Sequence, residues 1–304
     1  MRVLRTWIQY AGAWIGIKAL GCLPRGAARA LGAGFAAMAY AIRSPLRQAA
    51  QFNLQIAFPD WTEERREQVI QRMIQQIGWM LGEFSQFPKY TRERIEKIVV
   101  IDGGGNFEAA QRRGKGVLFL TGHMSAWELA PFAHALYGNP LHFLVRPVAN
   151  PLVDRLIDNY RCLSGNKPIE KNRSARAILR VLSEGGTVGI LADHNTILEE
   201  SVFVDFFGVP ASTTSGLARI ALRTDAAVVP GFLCWDYENK VYQLGFEPAV
   251  DLVRSGDEEA DVRENTQLFT RVIEKYIRAH PEQWPWVHKR WKTRPTGEPP
   301  LYPF

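Results

Sequence analysis

His123 and Glu128 stand five residues apart in "TGHMSAWELAP", residues 121 to 131. An imidazole beside a carboxylate is the minimal equipment for general-base chemistry. The carboxylate fixes one ring nitrogen, and the other is left to take a proton. In a continuous helix, residues five apart sit about 140° apart around the axis and do not meet. They can meet if His123 lies in the turn before the helix and Glu128 in its first turn, and Gly122 gives that turn room to bend. The competing interpretation is purely structural. Ser125-Ala-Trp-Glu128 has the S-x-x-E form of a capping box, with Ser125 as the N-cap and Glu128 reaching back to it. The two are compatible, because a capped helix also holds its glutamate still.

The elements that must position this pair are legible in outline. The apolar run GVLFL precedes it and LAPFAHAL follows. From about residue 97, short β-branched runs alternate with helical patterns: KIVVI, GVLFL, LHFLV, TVGILA, AVVPGFLCW and VYQLGF are the strands, and amphipathic stretches separate them. That alternation predicts an α/β fold, a mixed and mostly parallel sheet flanked by helices. In such sheets ligands bind beyond the carboxyl ends of the strands. His123 and Asp193 both fall just past such an end. Residues 44–96 read as a helical lead-in, with Ser44 capping and Pro45 at the first helical position, and Thr62 capping a second helix. A long helix is expected at about 258 to 280.

Residues 1–43 differ in texture. "WIQYAGAWIGIKALGCL" (7 to 23) is apolar but holds Gln9 and Lys18, with Arg2, Arg5, Arg25 and Arg29 around it. As a helix it is about 26 Å long, short of a bilayer core. With a second apolar run at 30 to 42 it reads as a membrane anchor, one marginal span or two interfacial helices. The chain of 304 residues is 46% hydrophobic and 22% charged, with a net charge of +6. A real core is therefore expected and disorder is not. The basic excess suits anionic lipids, phosphorylated ligands or acidic proteins. No nucleic-acid module accompanies it. Cys22, Cys162 and Cys234 are scattered, and the histidines have no metal-ligand spacing, so neither a disulfide framework nor a metal or other cofactor is expected. The segment "PEQWPWVHKRWKTRP" (281 to 295) either lies at headgroup level with its tryptophans and cations or contributes ordinary core tryptophans. Arg173, Arg176 and Arg180 have the spacing of a basic stripe on one helix face.

Longer blocks carry a family resemblance. The H-x4-E element resembles the H-x4-D/E motif of membrane glycerolipid and lipid A acyltransferases. "LVRPVANPLVDRLI" (144 to 157), "LADHNTILEESVFVDFFGVPASTTSGLARIA" (191 to 221), "PEQWPWVHKRWKTRP" and the early "NLQIAFPD" (53 to 60) are similar, in order, to blocks of the lauroyl/myristoyl acyltransferases of lipid A biosynthesis. The resemblance implies a glycerolipid-acyltransferase-like fold over residues 44–304. It implies direct transfer of a fatty acyl group, without an acyl-enzyme, from acyl carrier protein or CoA to a hydroxyl of a phosphorylated glycolipid. It places the catalytic pair on His123 and Glu128. Arg146, Asn150, Asp154 and Asp193 fall on its substrate-binding blocks, with Arg146 the candidate oxyanion donor. The place of work would be the cytoplasmic face of a bacterial inner membrane. Departures at Val148, Ala149 and "HNTILEE" (194 to 200) bear on which lipid is acylated. The alternatives are the same transfer to another glycolipid or aminolipid, and a catalytically silent membrane-binding protein on this fold.

Overall fold

The computed structural model describes residues 2–170 and 174–303. Four helices come first: α1 (Arg2–Cys22), α2 (Arg25–Ile42), α3 (Ser44–Ala57) and α4 (Glu63–Ser85). Thr62 caps α4 as expected, accepting from the Arg65 N–H, whereas α3 starts at Ser44 itself, with Arg43 in the capping position. The α/β part follows as α5 (Arg92–Ile95), β1 (Val99–Asp102), α6 (Gly104–Arg112), β2 (Val117–Thr121), α7 (Leu129–Leu136), β3 (His142–Val145), α8 (Pro151–Arg161), β4 (Lys167–Glu170), α9 (Ser174–Ser183), β5 (Thr187–Leu191), β6 (Ser201–Phe206), β7 (Val209–Thr214), α10 (Gly216–Thr224), β8 (Ala227–Asp236), β9 (Val241–Phe246) and α11 (Glu258–Ala279). Short β4 and the hairpin β6–β7 escape the sequence pattern, because neither has a long apolar run.

Seven strands form one sheet in the order β1-β9-β8-β2-β5-β3-β4, and β6 pairs β7 separately. Every neighbouring pair in the large sheet is parallel except β8–β9. The expected mixed, mostly parallel sheet is therefore present. Along β2 the side chains alternate between two cores. Leu118 and Leu120 pack with α9, α10 and α11, while Val117 and Phe119 pack with α6 and α7. A strand buried on both faces reads as a continuous apolar run, which is why GVLFL stands out.

The helix pair α1–α2 is docked onto this body. α2 lies against α4 at backbone contact: a Cβ on Gly78 would fall 2.3 Å from Ala33 Cα, and one on Gly32 would fall 2.2 Å from the Gly78 carbonyl oxygen. Beside this seam the buried Glu83 carboxylate takes Arg25 at 2.6 and 3.0 Å, and Arg29 lies 3.7 Å away. Arg29 also stacks between Trp79 and Trp235, 3.7 and 4.3 Å from their ring centres. The opposite faces of the two helices are bare. Leu4, Trp7, Ile8, Trp14 and Ile15 of α1 are exposed, as are Leu31, Phe35, Met38 and Ile42 of α2. On each helix these recur at three- and four-residue intervals, forming one stripe. No helix among the described residues is long and apolar enough to cross a membrane.

Gly78→Val is expected to force α2 off α4, since backbone and not a flexible side chain blocks the added atoms. A loss of about 3 kcal/mol or more is expected, read as a fall in thermal midpoint, while Gly12→Ala on the open side of α1 leaves the midpoint within a degree or two.

Candidate active site

Strands β2 and β5 are parallel neighbours, with Thr121 opposite Leu191. The chain leaves both strands at the same end, and two residues on lie His123 and Asp193. The Ala192 N–H donates to the Thr121 carbonyl at 3.0 Å, which carries the register past the strand ends. A Cβ on Gly122 would stand 3.2 Å from Asp193 Oδ2, so glycine is what lets the two loops close up. The outcome is a tight pair: His123 Nδ1 is 2.8 Å from Asp193 Oδ1, and the His123 backbone N–H donates to Asp193 Oδ2 at 2.8 Å.

Asp193 is fully buried and takes a third donor, the indole N–H of Trp284 at 2.8 Å. Burial would push its carboxyl upward. Electrostatic interaction with the His123 and His194 rings and the hydrogen bonds from His123 outweigh burial and hold it far below the usual carboxylate range. A carboxylate on Nδ1 makes that nitrogen the donor, so that in the neutral ring the lone pair lies on Nε2, as a base requires.

Three imidazoles stack beyond this pair. The ring centres of His123 and His194 are 3.8 Å apart with planes 2° from parallel, and those of His194 and His288 are 3.9 Å apart. Burial lowers His194 to about 3 and His288 to about 4, with Asp193 opposing and the neighbouring cations adding to the fall. His288 Nε2 accepts from the Asn195 N–H at 3.0 Å, which fixes a neutral ring. His123, Asp193 and His194 are near enough to suggest a metal. The two imidazoles stack face to face, however, so their in-plane lone pairs run parallel rather than converging on one point.

Glu128 lies elsewhere in the site. Its oxygens receive Arg161 at 2.5 and 2.8 Å, and Arg161 also reaches Asp158 at 3.2 Å. No hydrogen bond joins Glu128 to His123, and the orienting contact expected from it is made by Asp193. The capping box is corrected as well. α7 begins at Leu129, and Ser125 has φ +50°. The Ser125 hydroxyl donates to Gln76 at 3.0 Å and its N–H to the Gln283 carbonyl at 2.7 Å. It is a bridge from the turn to α4 and the C-terminal segment.

A large cavity of about 740 Å³ opens at this point, with His123, Glu128, Arg146, Arg161, His194 and His288 on its wall. It has two parts. One runs under α7 on one face of the sheet, past Phe119, Phe132 and Phe246. The other lies on the opposite face beside Ile178 of α9 and Leu217 and Ile220 of α10. Arg146 is exposed at the rim and makes no ion pair among the described residues. Asn150 and Asp154 do not line the cavity and instead build the rim loop. Asn150 caps α8 through Leu152 and Val153, and its amide donates to the Thr6 carbonyl and to Gln9 of α1. Asp154 accepts from the Val148 N–H at 2.7 Å. Of the supposed basic stripe, Arg173 lies outside the described residues, and Arg180 pairs with Glu184.

The C-terminal segment closes the site from behind. Trp284, Trp286 and Trp291 are fully buried, so they are core and not headgroup residues. Arg290 is buried too, donating to the Ser212 carbonyl at 2.7 Å and to the Thr213 hydroxyl at 2.5 Å. This locks the strap to the β6–β7 hairpin. The sequence pointed to Arg161, Trp284, Gln283 and His288 only as parts of larger patterns, because their work depends on contacts across long stretches of chain.

Acid sensitivity follows from the buried imidazoles. His134, buried and lowered to about 4, joins His194 and His288 in binding protons more readily when unfolded. Their stabilising effect is complete above about pH 6.5 and is lost as pH falls toward 4, at up to about 1.4 kcal/mol per pH unit for each group. Urea unfolding at pH 7, 6 and 5 should show that decline, and His134→Leu should flatten it by one group's share.

The sequence profile of bacterial lipid A biosynthesis acyltransferases matches residues 1–293. A lipid A biosynthesis acyltransferase of Haemophilus influenzae is 31% identical over 83% of this chain and 77% of its own length. The lipid A biosynthesis lauroyltransferase of Escherichia coli is 27% identical over 98% of this chain and 94% of its own. The myristoyltransferase of the same organism is 25% identical over 95% and 90%. The chain is an acyltransferase and belongs to the bacterial lipid A biosynthesis acyltransferase family.

Proposed function

We propose that this protein transfers a fatty acyl group from an acyl thioester to a hydroxyl of a lipid A precursor, with His123 as the general base. The observation that carries the reading is the buried Asp193 carboxylate 2.8 Å from His123 Nδ1. Asp193 occupies Nδ1, and Nε2 is left for the acceptor hydroxyl. His123 takes the hydroxyl proton as the oxygen attacks the thioester carbonyl. The tetrahedral intermediate collapses, the carbon–sulfur bond breaks, and the departing thiolate takes the proton back from the imidazolium. No acyl-enzyme is needed, because both substrates meet at one imidazole. General-base help of this kind contributes about 10²- to 10⁴-fold.

Glu128 enters this mechanism as the anchor of Arg161. Together they set a charged, rigid edge where the two parts of the cavity meet. Arg161 or the unpaired Arg146 supplies positive charge toward the oxyanion and the phosphates of the acceptor. The donor is acyl carrier protein or CoA. Burial disfavours a charged His194 or His288 beside the base.

The acceptor is a membrane lipid, and the bare stripes of α1 and α2 suit an interfacial seat on the inner membrane rather than a span. Arg5 and Lys18 lie on α1, and Arg43 at the end of α2. Because Asn150 ties the rim loop to α1, the cavity mouth adjoins the lipid-facing side. The acceptor then reaches His123 from the plane of the bilayer, at the cytoplasmic face.

The test is transfer from lauroyl and myristoyl acyl carrier protein, and from the matching CoA esters, to a tetra-acylated lipid A precursor. His123→Ala should lose at least about 10³-fold in kcat and Asp193→Asn at least about 10²-fold. Glu128→Gln should lose activity through Arg161. Full activity in His123→Ala would overturn the assignment of the base. Thioester hydrolysis that needs His123 but gives no acylated lipid A would leave the base in place and move the acceptor to another glycolipid.

Membrane seating has its own check. Trp7→Ser, Trp14→Ser and Phe35→Ser combined should weaken co-flotation with anionic vesicles at least tenfold, with an unchanged thermal midpoint. Each buried aromatic is worth about 1.5 to 3 kcal/mol.

A further inference from the structure

We infer that the chamber between α7 and the sheet seats the acyl chain of the donor, and that Gly189 and His134 set how long that chain can be. The inference rests on the acyl transfer proposed above and adds the residues that select among donors.

The chamber leads inward from His123. Its inner wall is Phe119 and Phe246 on the sheet side and Phe132 and His134 on the α7 side, all buried. A straight hydrocarbon fits such a wall, and a sugar or phosphate does not. The other part of the cavity, toward α10, carries Glu199, Glu200, Thr214, Ser215 and Arg219 among its apolar residues, and suits an acceptor with polar groups. Phe119 stands four residues before His123 on β2, so the chamber is roughly 13 Å deep at that level. An extended chain of roughly ten carbons covers that depth.

Two glycines, one on each of the strands that flank β2, line the cavity and differ in one respect. Beside Gly231 the space for a side chain is already taken, since a Cβ there would lie 3.0 Å from the Phe246 ring. Beside Gly189 a Cβ fits at ordinary van der Waals distance: the nearest atoms to it are Leu141 Cδ1 at 3.7 Å and the His142 carbonyl oxygen at 3.9 Å. Gly189 sits in the middle of β5, opposite Phe119 and Phe143, between the buried Val188 and Ile190. A glycine in a central strand weakens it unless something approaches closely. Here it leaves the floor of the chamber without a side chain at this position.

His134 marks the far end. It is 2% exposed, and neither ring nitrogen has a hydrogen-bond partner. Phe107, Phe119 and Phe246 surround it at 4.8 to 5.5 Å. A methyl end that stops short of the ring leaves the imidazole as it is. A longer chain must push past the close-packed cluster of His134 with Phe107, Phe119 and Phe246, and overpacking such a cluster is costly. The cutoff at that depth is therefore sharp.

The experiment is a competition among C8 to C16 acyl carrier protein donors with the full-length wild type, Gly189→Val, Gly189→Ala and His134→Ala, each shown to be folded by its thermal midpoint. Gly189→Val should move the optimum at least two carbons shorter, with a tenfold or greater loss of kcat/KM for the donor the wild type prefers and less than a threefold change for the shortest. His134→Ala should raise use of longer donors at least fivefold. An unshifted length profile in folded Gly189→Val overturns the inference, whatever His134→Ala does. A donor thioester with a diazirine at its ω-carbon provides a readout that needs no transfer. Photolabelling of α7 or β5 supports the seat, and labelling confined to α9, α10 or the surface overturns it. If wild type labels in the chamber yet acylates no lipid A precursor, the acceptor reading fails and the chain seat stands.

Discussion

An aspartate with no access to water stays ionised only if the protein supplies donors in place of water. Asp193 receives them from three places: the backbone and ring of His123 beyond β2, and the indole of Trp284 in the C-terminal segment. Its own backbone is held beyond β5. Three separated stretches of chain therefore meet on one carboxylate. If any of them moved, the charge would be left buried with too few partners. The sheet register, the bend at Gly122 and the strap from 281 to 294 are all arranged around this group.

That constraint explains why so much of the C-terminal segment is interior. Gln283 bonds both the N–H and the C=O of Trp235 on β8, and Asn53 of α3 donates to the carbonyls of Trp286 and His288. Arg290 ties the same strap to the β6–β7 hairpin. The helical lead-in, the sheet and the hairpin thus all hold the strap that holds Asp193. An imidazole held this way is oriented before any substrate arrives, which the base proposed above requires.

Around this centre lie two largely apolar surfaces. The cavity runs over both faces of the sheet and meets at His123. The α1–α2 pair is anchored through Glu83, Arg25 and Arg29 on one side and is apolar on the other. Its attachment by glycine-to-backbone contact brings it close enough for Asn150 to tie the rim of the cavity to α1.

The sequence by itself determined the fold class and singled out the residues at which we place the chemistry. Two-sided burial of central strands gives apolar runs, helices give their own period, and both are local properties. His123 and Asp193 were each legible as residues just past a strand end. Their pairing was not, because it depends on β2 and β5 being adjacent and in register, although about seventy residues of chain separate them. Glu128 lay nearer in sequence and attracted the orienting role, but the turn at Ser125 points it to Arg161 instead. The buried tryptophans of the C-terminal segment could equally have been interfacial, since composition does not say which side of a surface a residue takes. Only the tertiary structure decided these matters, because hydrogen-bond partners are chosen by distance in space, and spacing along the chain predicts that distance only within a single element.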